Sequence, residues 1–397
     1  MFKLAFSPGI INADLIKQTP ERVFPAAGQA VSYWFGGSQA IYQGVRRLGL
    51  GKGDTILVPA YSCGSEIASL LATGMSMRYY RSLPDLSPDF DHLERLCRKN
   101  PSAIFIIHYF GFPQPMKALL DFKKRHNLLL VEDNAHGLYS ADKCGNPLGN
   151  TGDIAVFSFT KSLPTPDGGA LVINHAKPMK SKKIGIAPRP AAIAKKAAGK
   201  AACQFTKNLS KTNPRAARLI QERILDRFSS EPKMGAAGEH PWDAPGIAGN
   251  YLAFDPVRAN WRMSLFSHFI MKRQAHQRIC NTRRRNFSLL LKYCTNANGR
   301  LRPLFPSLPE GVCPLLFPVQ SCDSLSLYRF LRSRGVEALR FWRFFHPDHP
   351  GERFPFETTL KKSVIALPIH QDIRAGDVLF MGGLLREWEC MHRKRGR

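Results

Sequence analysis

From Ser32 to Asn174 the sequence alternates short, nearly uninterrupted apolar runs with segments of helical periodicity, and few architectures accept that pattern. TILVPAY, MRYYRS, AIFIIHYF, LLLVED and IAVFSF read as strands; SQAIYQGVRRLGL, SEIASLLATG, DHLERLCRKN and MKALLDFKKRHN read as helices. Strands apolar at almost every position are buried on both faces, which calls for an α/β fold with helices covering a mostly parallel sheet. In such sheets the ligand crevice opens beyond the carboxyl ends of the strands. Asp133, closing LLLVED, and Lys161, just past IAVFSF, stand at that edge.

The chain of 397 residues is too long for one simple core. We expect a large unit over residues 1–260, with a basic insertion at about 177–250, and a smaller α+β unit over 261–397. The second unit shows itself in one long basic helical stretch, MSLFSHFIMKRQAHQRICNTRRRNFSLLLKYC, then strand-like CPLLFPVQ, helical SLSLYRFLRSRG and strand-like SVIALPI. No run of about 18 apolar residues occurs, so no membrane span is expected. The first residues lack the long apolar core of a secretory signal, which suggests a cytoplasmic protein. Nine cysteines form no C-x-x-C pair and twelve histidines show no ligand spacing, so neither a disulfide framework nor a metal is expected.

A formal net charge of +27 favours contact with anions, and its placement is uneven. Between Lys177 and Arg218 stand twelve Lys or Arg and no Asp or Glu. That segment reads either as a solvated surface insertion or as an arm making weak contact with anionic membrane or nucleic acid. Its single aromatic residue, Phe205, gives little support to base stacking.

Individually, the polar residues near the strand ends have ordinary readings. Lys161 can snorkel from a buried strand, Asp133 can cap a turn, His136 can pack, and Ser158 can be a small strand residue. The turn GGSQA, Gly36 to Ala40, can simply start a helix, although a helix start of this kind is also a ready phosphate site. Together they make a coherent set: a phosphate-binding helix start, an acid at one strand end, then a hydroxyl and a lysine at the next. Pyridoxal phosphate chemistry needs that set. A lysine amine forms an imine with the aldehyde, an aspartate keeps the pyridine nitrogen protonated, and helix start and serine neutralise the phosphate.

The motifs then match one family in order from Gly36 to His370. GGSQAIYQGVRRLGLGKGDTILVPAYS, LLLVEDNAHGLYSADKCGNPLGNTGDIAVFSFTKSLPTPDGGALVIN, NWRMS and IALPIH resemble the DegT/DnrJ/EryC1/StrS sugar aminotransferases, which share the type I fold of pyridoxal phosphate enzymes. The resemblance implies that Lys161 is the Schiff-base lysine and proton shuttle, that Asp133 pairs with the pyridine nitrogen and that His136 lies near the phenolic oxygen. It implies that Gly37, Ser38, the Gln39 backbone and Ser158 hold the phosphate. It also implies that Asn260 reaches the phosphate of a neighbouring subunit, hence a homodimer with shared sites. Relatives that work as dehydratases carry histidine at the lysine position, so Lys161 points to transamination from an amino acid, glutamate, to a nucleotide-linked keto sugar.

Three departures stand out. The spacer between FSF and the lysine is two residues shorter than the family's. The ring-stacking aromatic aligns with Cys63, or is replaced by nearby Tyr61. The insertion between Asn174 and Asn260 is unusually basic. Two other functions stay open at this level: a pyridoxal phosphate aminotransferase or synthase for a non-sugar carbonyl, and a catalytically reduced basic binding protein.

Overall fold

Seven strands build the large sheet, and their order explains why the polar residues converge. The computed structural model describes residue 8 and residues 30–174, 185–212, 253–294 and 299–393. In chain order the first elements are β1 (Ala30–Trp34), α1 (Gly37–Arg47), β2 (Thr55–Pro59), α2 (Ser65–Leu71), β3 (Ser76–Tyr80) and α3 (Phe90–Cys97). Next come β4 (Ala103–Ile107), α4 (Met116–Arg125), β5 (Leu129–Asp133), β6 (Ile154–Ser158), the single turn α5 (Phe159–Ser162) and β7 (Gly169–Ile173). The sheet runs β1-β7-β6-β5-β4-β2-β3. Neighbours from β6 across to β3 are parallel, while β7 runs antiparallel to both β6 and β1. All residues of β4, β6 and β7 are buried, as their continuous apolar runs require. Each such Ile or Phe contributes about 1.5–3 kcal/mol through burial. The edge strand β1 escaped sequence reading because AVSYW mixes apolar and polar positions and has one buried residue.

The second half supplies α6 (Pro190–Thr212), α7 (Leu265–Lys272), α8 (His276–Leu291), β8 (Leu301–Pro303), β9 (Leu316–Ser321) and α9 (Ser324–Ser333). It ends with β10 (Leu339–Arg340), α10 (Pro355–Ser363), β11 (Val364–Pro368) and α11 (Ala375–Arg393). Its four strands form an antiparallel sheet in the order β10-β11-β9-β8. The long basic stretch is two helices, not one: the backbone leaves helical angles at Ala275 (φ −77°, ψ 79°), where no glycine or proline signals a break. A continuous apolar core joins the two sheets, with Phe105 and Val156 at one end and Phe287, Phe317 and Trp388 at the other. Residues beyond 260 also reach the large sheet, since Met263, Met271 and Ile279 pack with Phe157 and Phe159.

Much of the basic 177–218 segment lies outside the described residues. The part within α6 is docked: Ile193 is buried against Phe35 and Trp261, and Lys200 Nζ donates to the Thr165 carbonyl at 2.7 Å. No helix among the described residues is long and apolar enough to cross a membrane.

The PDGG element shows how the strand edge is fixed. Gly168 takes a left-handed φ of 127°, and a Cβ on Gly169 would lie 2.5 Å from the Gly36 carbonyl carbon, so β7 can press against the start of α1 only without a side chain. The fully buried Asp167 carboxylate accepts from the Ser264 amide (2.8 Å), the Ser264 hydroxyl (2.6 Å) and the Ser267 hydroxyl (2.7 Å), tying this turn to the N-terminus of α7. Hydrogen bonds to a charged group contribute about 1.5–3 kcal/mol each, and a buried donor left unpaired costs about 1–3 kcal/mol. Asp167→Ala should therefore destabilise the fold by about 3–5 kcal/mol, read as a lower urea midpoint; an unchanged midpoint would remove this role.

Candidate active site

Strands β5 and β6 are adjacent and parallel, so their carboxyl ends deliver Asp133 and Ser158 side by side. The short spacer after FSF is absorbed by α5, a single helical turn that begins at once and turns Lys161 back over the strand edge. Lys161 Nζ lies 3.1 Å from His136 Nε2. The turn is held from behind: the Ser162 carbonyl accepts from buried Arg283 (3.3 Å) and from Gln371 (3.3 Å), the residue following IALPIH. The lysine backbone is thus fixed by residues of the second half, while its side chain stays open to the cavity.

His136 is buried, and its Nδ1 accepts from the Phe110 amide at 3.2 Å. Burial, reinforced by the Lys161 cation, pushes its pKa well below the ordinary range, so the ring is neutral. A neutral ring with an incoming donor at Nδ1 carries its proton on Nε2. Lys161 Nζ and His136 Nε2 are thus within hydrogen-bonding distance of each other at the cavity edge.

Asp133 Oδ1 accepts from the Ala135 amide at 2.8 Å. Burial pushes its pKa up to about 6, with the Lys161 cation pulling the other way. The neighbouring Glu132 faces elsewhere: it accepts from His108 Nε2 at 3.0 Å and from the amides of Gly149, Thr151 and Gly152. Burial alone would raise its pKa, but those hydrogen bonds outweigh it and hold the carboxyl below the usual range. One acid of the E-D pair anchors a loop and the other is left for the cavity.

The cavity, about 470 Å³, is lined by Gly37, Ser38 and Gln39 at the start of α1, by Asp133 and His136, and by Ser158, Thr160 and Lys161. Gly36 is fully extended (φ −168°, ψ −179°) and precedes α1, whose first amides have no partner within the helix. The Ser158 and Thr160 hydroxyls stand 3.3 Å apart beside that helix start, and a Cβ on Gly37 would touch Ser158 Cβ at 3.4 Å. Amides, two hydroxyls and a glycine cradle suit a phosphate; a lysine amine and a buried acid suit an aldehyde and a ring nitrogen. These residues fit pyridoxal phosphate.

Seven of the eight residues singled out in the sequence therefore meet in one cavity. Asn260 does not line it: its Oδ1 accepts from Gln43 of the same chain at 2.9 Å. Of the two stacking candidates, Cys63 lines the cavity and Tyr61 is fully buried outside its lining. Sequence reading missed Phe35, Glu66, Lys196, Arg258 and Trp342. Lys196 and Arg258 both approach the Phe35 ring, at 4.4 and 5.8 Å. The charge run pointed toward Lys196 without distinguishing it from its neighbours, and the aromatic cluster RFWRFF was the available signal for Trp342.

Residues 29–185 match the model of the DegT/DnrJ/EryC1/StrS aminotransferase family. The chain is 32% identical over 136 residues to the dTDP-4-dehydro-2,3,6-trideoxy-D-glucose 4-aminotransferase of Saccharopolyspora spinosa, covering 34% of this chain and 35% of that one. It is 31% identical over 148 residues to the GDP-perosamine synthase of Caulobacter vibrioides, covering 35% and 38%. The matches thus span little more than a third of these relatives' length. Among solved structures, the Helicobacter pylori aminotransferase involved in pseudoaminic acid biosynthesis superposes with a TM-score of 0.65 at 15% identity, over 97% of this chain and 99% of its own. An aminotransferase from Streptoalloteichus hindustanus gives 0.59 at 20% identity, over 90% and 85%. The fold is that of the type I pyridoxal phosphate aminotransferases, as the family resemblance implied, and its mostly parallel sheet is the one the strand alternation called for.

Proposed function

We propose, on the premise that residues 29–185 belong to the DegT/DnrJ/EryC1/StrS aminotransferase family, that this chain is a pyridoxal phosphate-dependent transaminase. Its reaction is transfer of an amino group from an amino acid, glutamate, to a nucleotide-linked keto sugar. The observation that carries this reading is the meeting of Lys161, Asp133 and the start of α1 in one cavity. The names of relatives, which include dTDP-, GDP- and UDP-sugar enzymes, support the acceptor class.

Bound there, pyridoxal phosphate supplies an aldehyde and an electron-accepting ring. Lys161 Nζ would be the amine that meets that aldehyde and the base that takes up the proton from the donor's Cα. His136 Nε2 lies within hydrogen-bond reach of that nitrogen and orients it. Asp133, buried and anionic, keeps the ring nitrogen protonated. The amides of Gly37, Ser38 and Gln39, with the Ser158 hydroxyl, hold the phosphate. Lys196 and Arg258, at the cavity wall, are placed to meet the acceptor's diphosphate.

A homodimer in which Asn260 exchanges its Gln43 contact for the partner's phosphate is supported by exposed apolar side chains on the segments that flank it in the chain. Val257, Leu265, Phe266 and Phe269 are all exposed, and a second copy seated there would cover them. Contact with membrane or nucleic acid through residues 177–218 gains no support from the described part of that segment.

The test is to load the purified protein with pyridoxal phosphate, convert it with glutamate, and follow the visible spectrum as acceptors are added. We expect dTDP-, GDP- or UDP-linked keto sugars to restore the starting spectrum. Restoration by non-sugar keto acids alone would overturn the sugar assignment. A protein that takes up no pyridoxal phosphate would overturn the enzyme itself.

A further inference from the structure

One residue of the cavity wall comes from the second half of the chain and holds an unusual conformation. Trp342 follows β10, yet its side chain lines the cavity with Asp133 and Lys161. Its φ is +50°, a left-handed angle that a bulky side chain adopts only where its surroundings enforce it. The enforcing group is Lys361 on α10, buried to 1% exposure. Its Nζ donates to the carbonyls of Trp342 (2.9 Å), Phe344 (2.8 Å) and Ser62 (2.5 Å).

The last bond decides where the indole sits. Ser62 precedes Cys63, so a single ammonium group clamps the backbone of Trp342 to the segment that follows β2. The indole lies 5.2 Å from the Tyr61 ring, 5.8 Å from Tyr109 and 5.2 Å from His136, the partner of Lys161. Cys63, where an aromatic side chain was expected, leaves room on the same wall. Tyr61 does not fill it, being packed away beneath.

We infer that Trp342 is the aromatic residue that covers the cofactor ring in this chain, in place of the one missing at Cys63, with Lys361 as its positioning residue. This rests on the pyridoxal phosphate reading above. It differs in the origin of the aromatic group, which arrives from the second half of the chain and ties the small sheet to ring binding.

The experiment is a pyridoxal phosphate titration, read by visible absorbance and by tryptophan emission. Trp342→Ala should weaken cofactor binding about tenfold, the scale of one lost aromatic contact. Adding Cys63→Phe to Trp342→Ala should recover most of that loss, which a general folding defect would not allow. In Trp342→Phe, the quenching of tryptophan emission on cofactor addition should shrink, leaving the part due to tryptophans such as Trp261 beside Phe35. Unchanged affinity in Trp342→Ala, or undiminished quenching in Trp342→Phe, would overturn the inference while leaving the transaminase reading intact. A wild-type protein that binds no cofactor would overturn both.

Discussion

Lys161→Ala should lower the proposed rate of amino transfer by at least about 10⁴-fold and abolish the visible absorption that bound pyridoxal phosphate would give the wild-type protein. The expected size follows from what is removed, since deleting the attacking group of an active site typically costs four to six orders of magnitude. Position alone would not assign this role, because a lysine at a strand end can merely reach for water. Three contacts change the weighing. Nζ meets His136 Nε2 at 3.1 Å, the Ser162 carbonyl is held by both Arg283 and Gln371, and Asp133 stands on the adjacent strand. A snorkelling side chain needs none of these. Lys161→Arg separates the roles of charge and nucleophile: it keeps a cation near Asp133 but has no amine to attack with. It should be as inactive as the alanine variant while still binding the cofactor's phosphate at α1. Activity in Lys161→Arg within tenfold of wild type would sink the assignment.

How far the sequence could be read depended on whether the information was local. Strands such as AIFII and IAVFS are apolar throughout because helices bury both faces, so fold class and the site edge followed from pattern. Asp133, His136, Ser158 and Lys161 lie within one stretch of chain, and strand pairing brings them together without further information. The misses have another character. Trp342 reaches the cavity through a left-handed backbone clamped by Lys361, a contact between residues that no spacing connects. The break at Ala275 carries no glycine or proline, and α6 docks through buried Ile193 and the Lys200 hydrogen bond in an alanine- and lysine-rich helix. Even Gln371, the residue that helps hold the lysine turn, follows its motif without any feature to mark it. Sequence patterns report burial and turns, whereas these contacts depend on which distant surfaces meet.

Asp133→Asn should eliminate most activity and yet make the cofactor-free protein more stable at neutral pH. The catalytic loss, about 10³-fold or more, arises because an amide cannot hold the ring nitrogen protonated as a carboxylate does. The stability gain comes from the same burial. Asp133 titrates at about 6 in the fold against an ordinary value of 3.8, chiefly because burial disfavours its charged form. Its folded pKa is raised, so between those values the native state binds more protons than the unfolded state, and stability falls as pH rises through the window. At 1.36 kcal/mol per unit the loss approaches about 3 kcal/mol above pH 6. Asparagine keeps the acceptor for the Ala135 amide but carries no charge, so it escapes that loss. Urea unfolding of both proteins without cofactor should give similar stabilities near pH 4 and a variant more stable by up to about 3 kcal/mol near pH 7.5. A difference that does not vary with pH would show that Asp133 is not the strained acid inferred here. The expected outcome means that the fold tolerates an unfavourable buried charge at a strand end where the proposed reaction would use it.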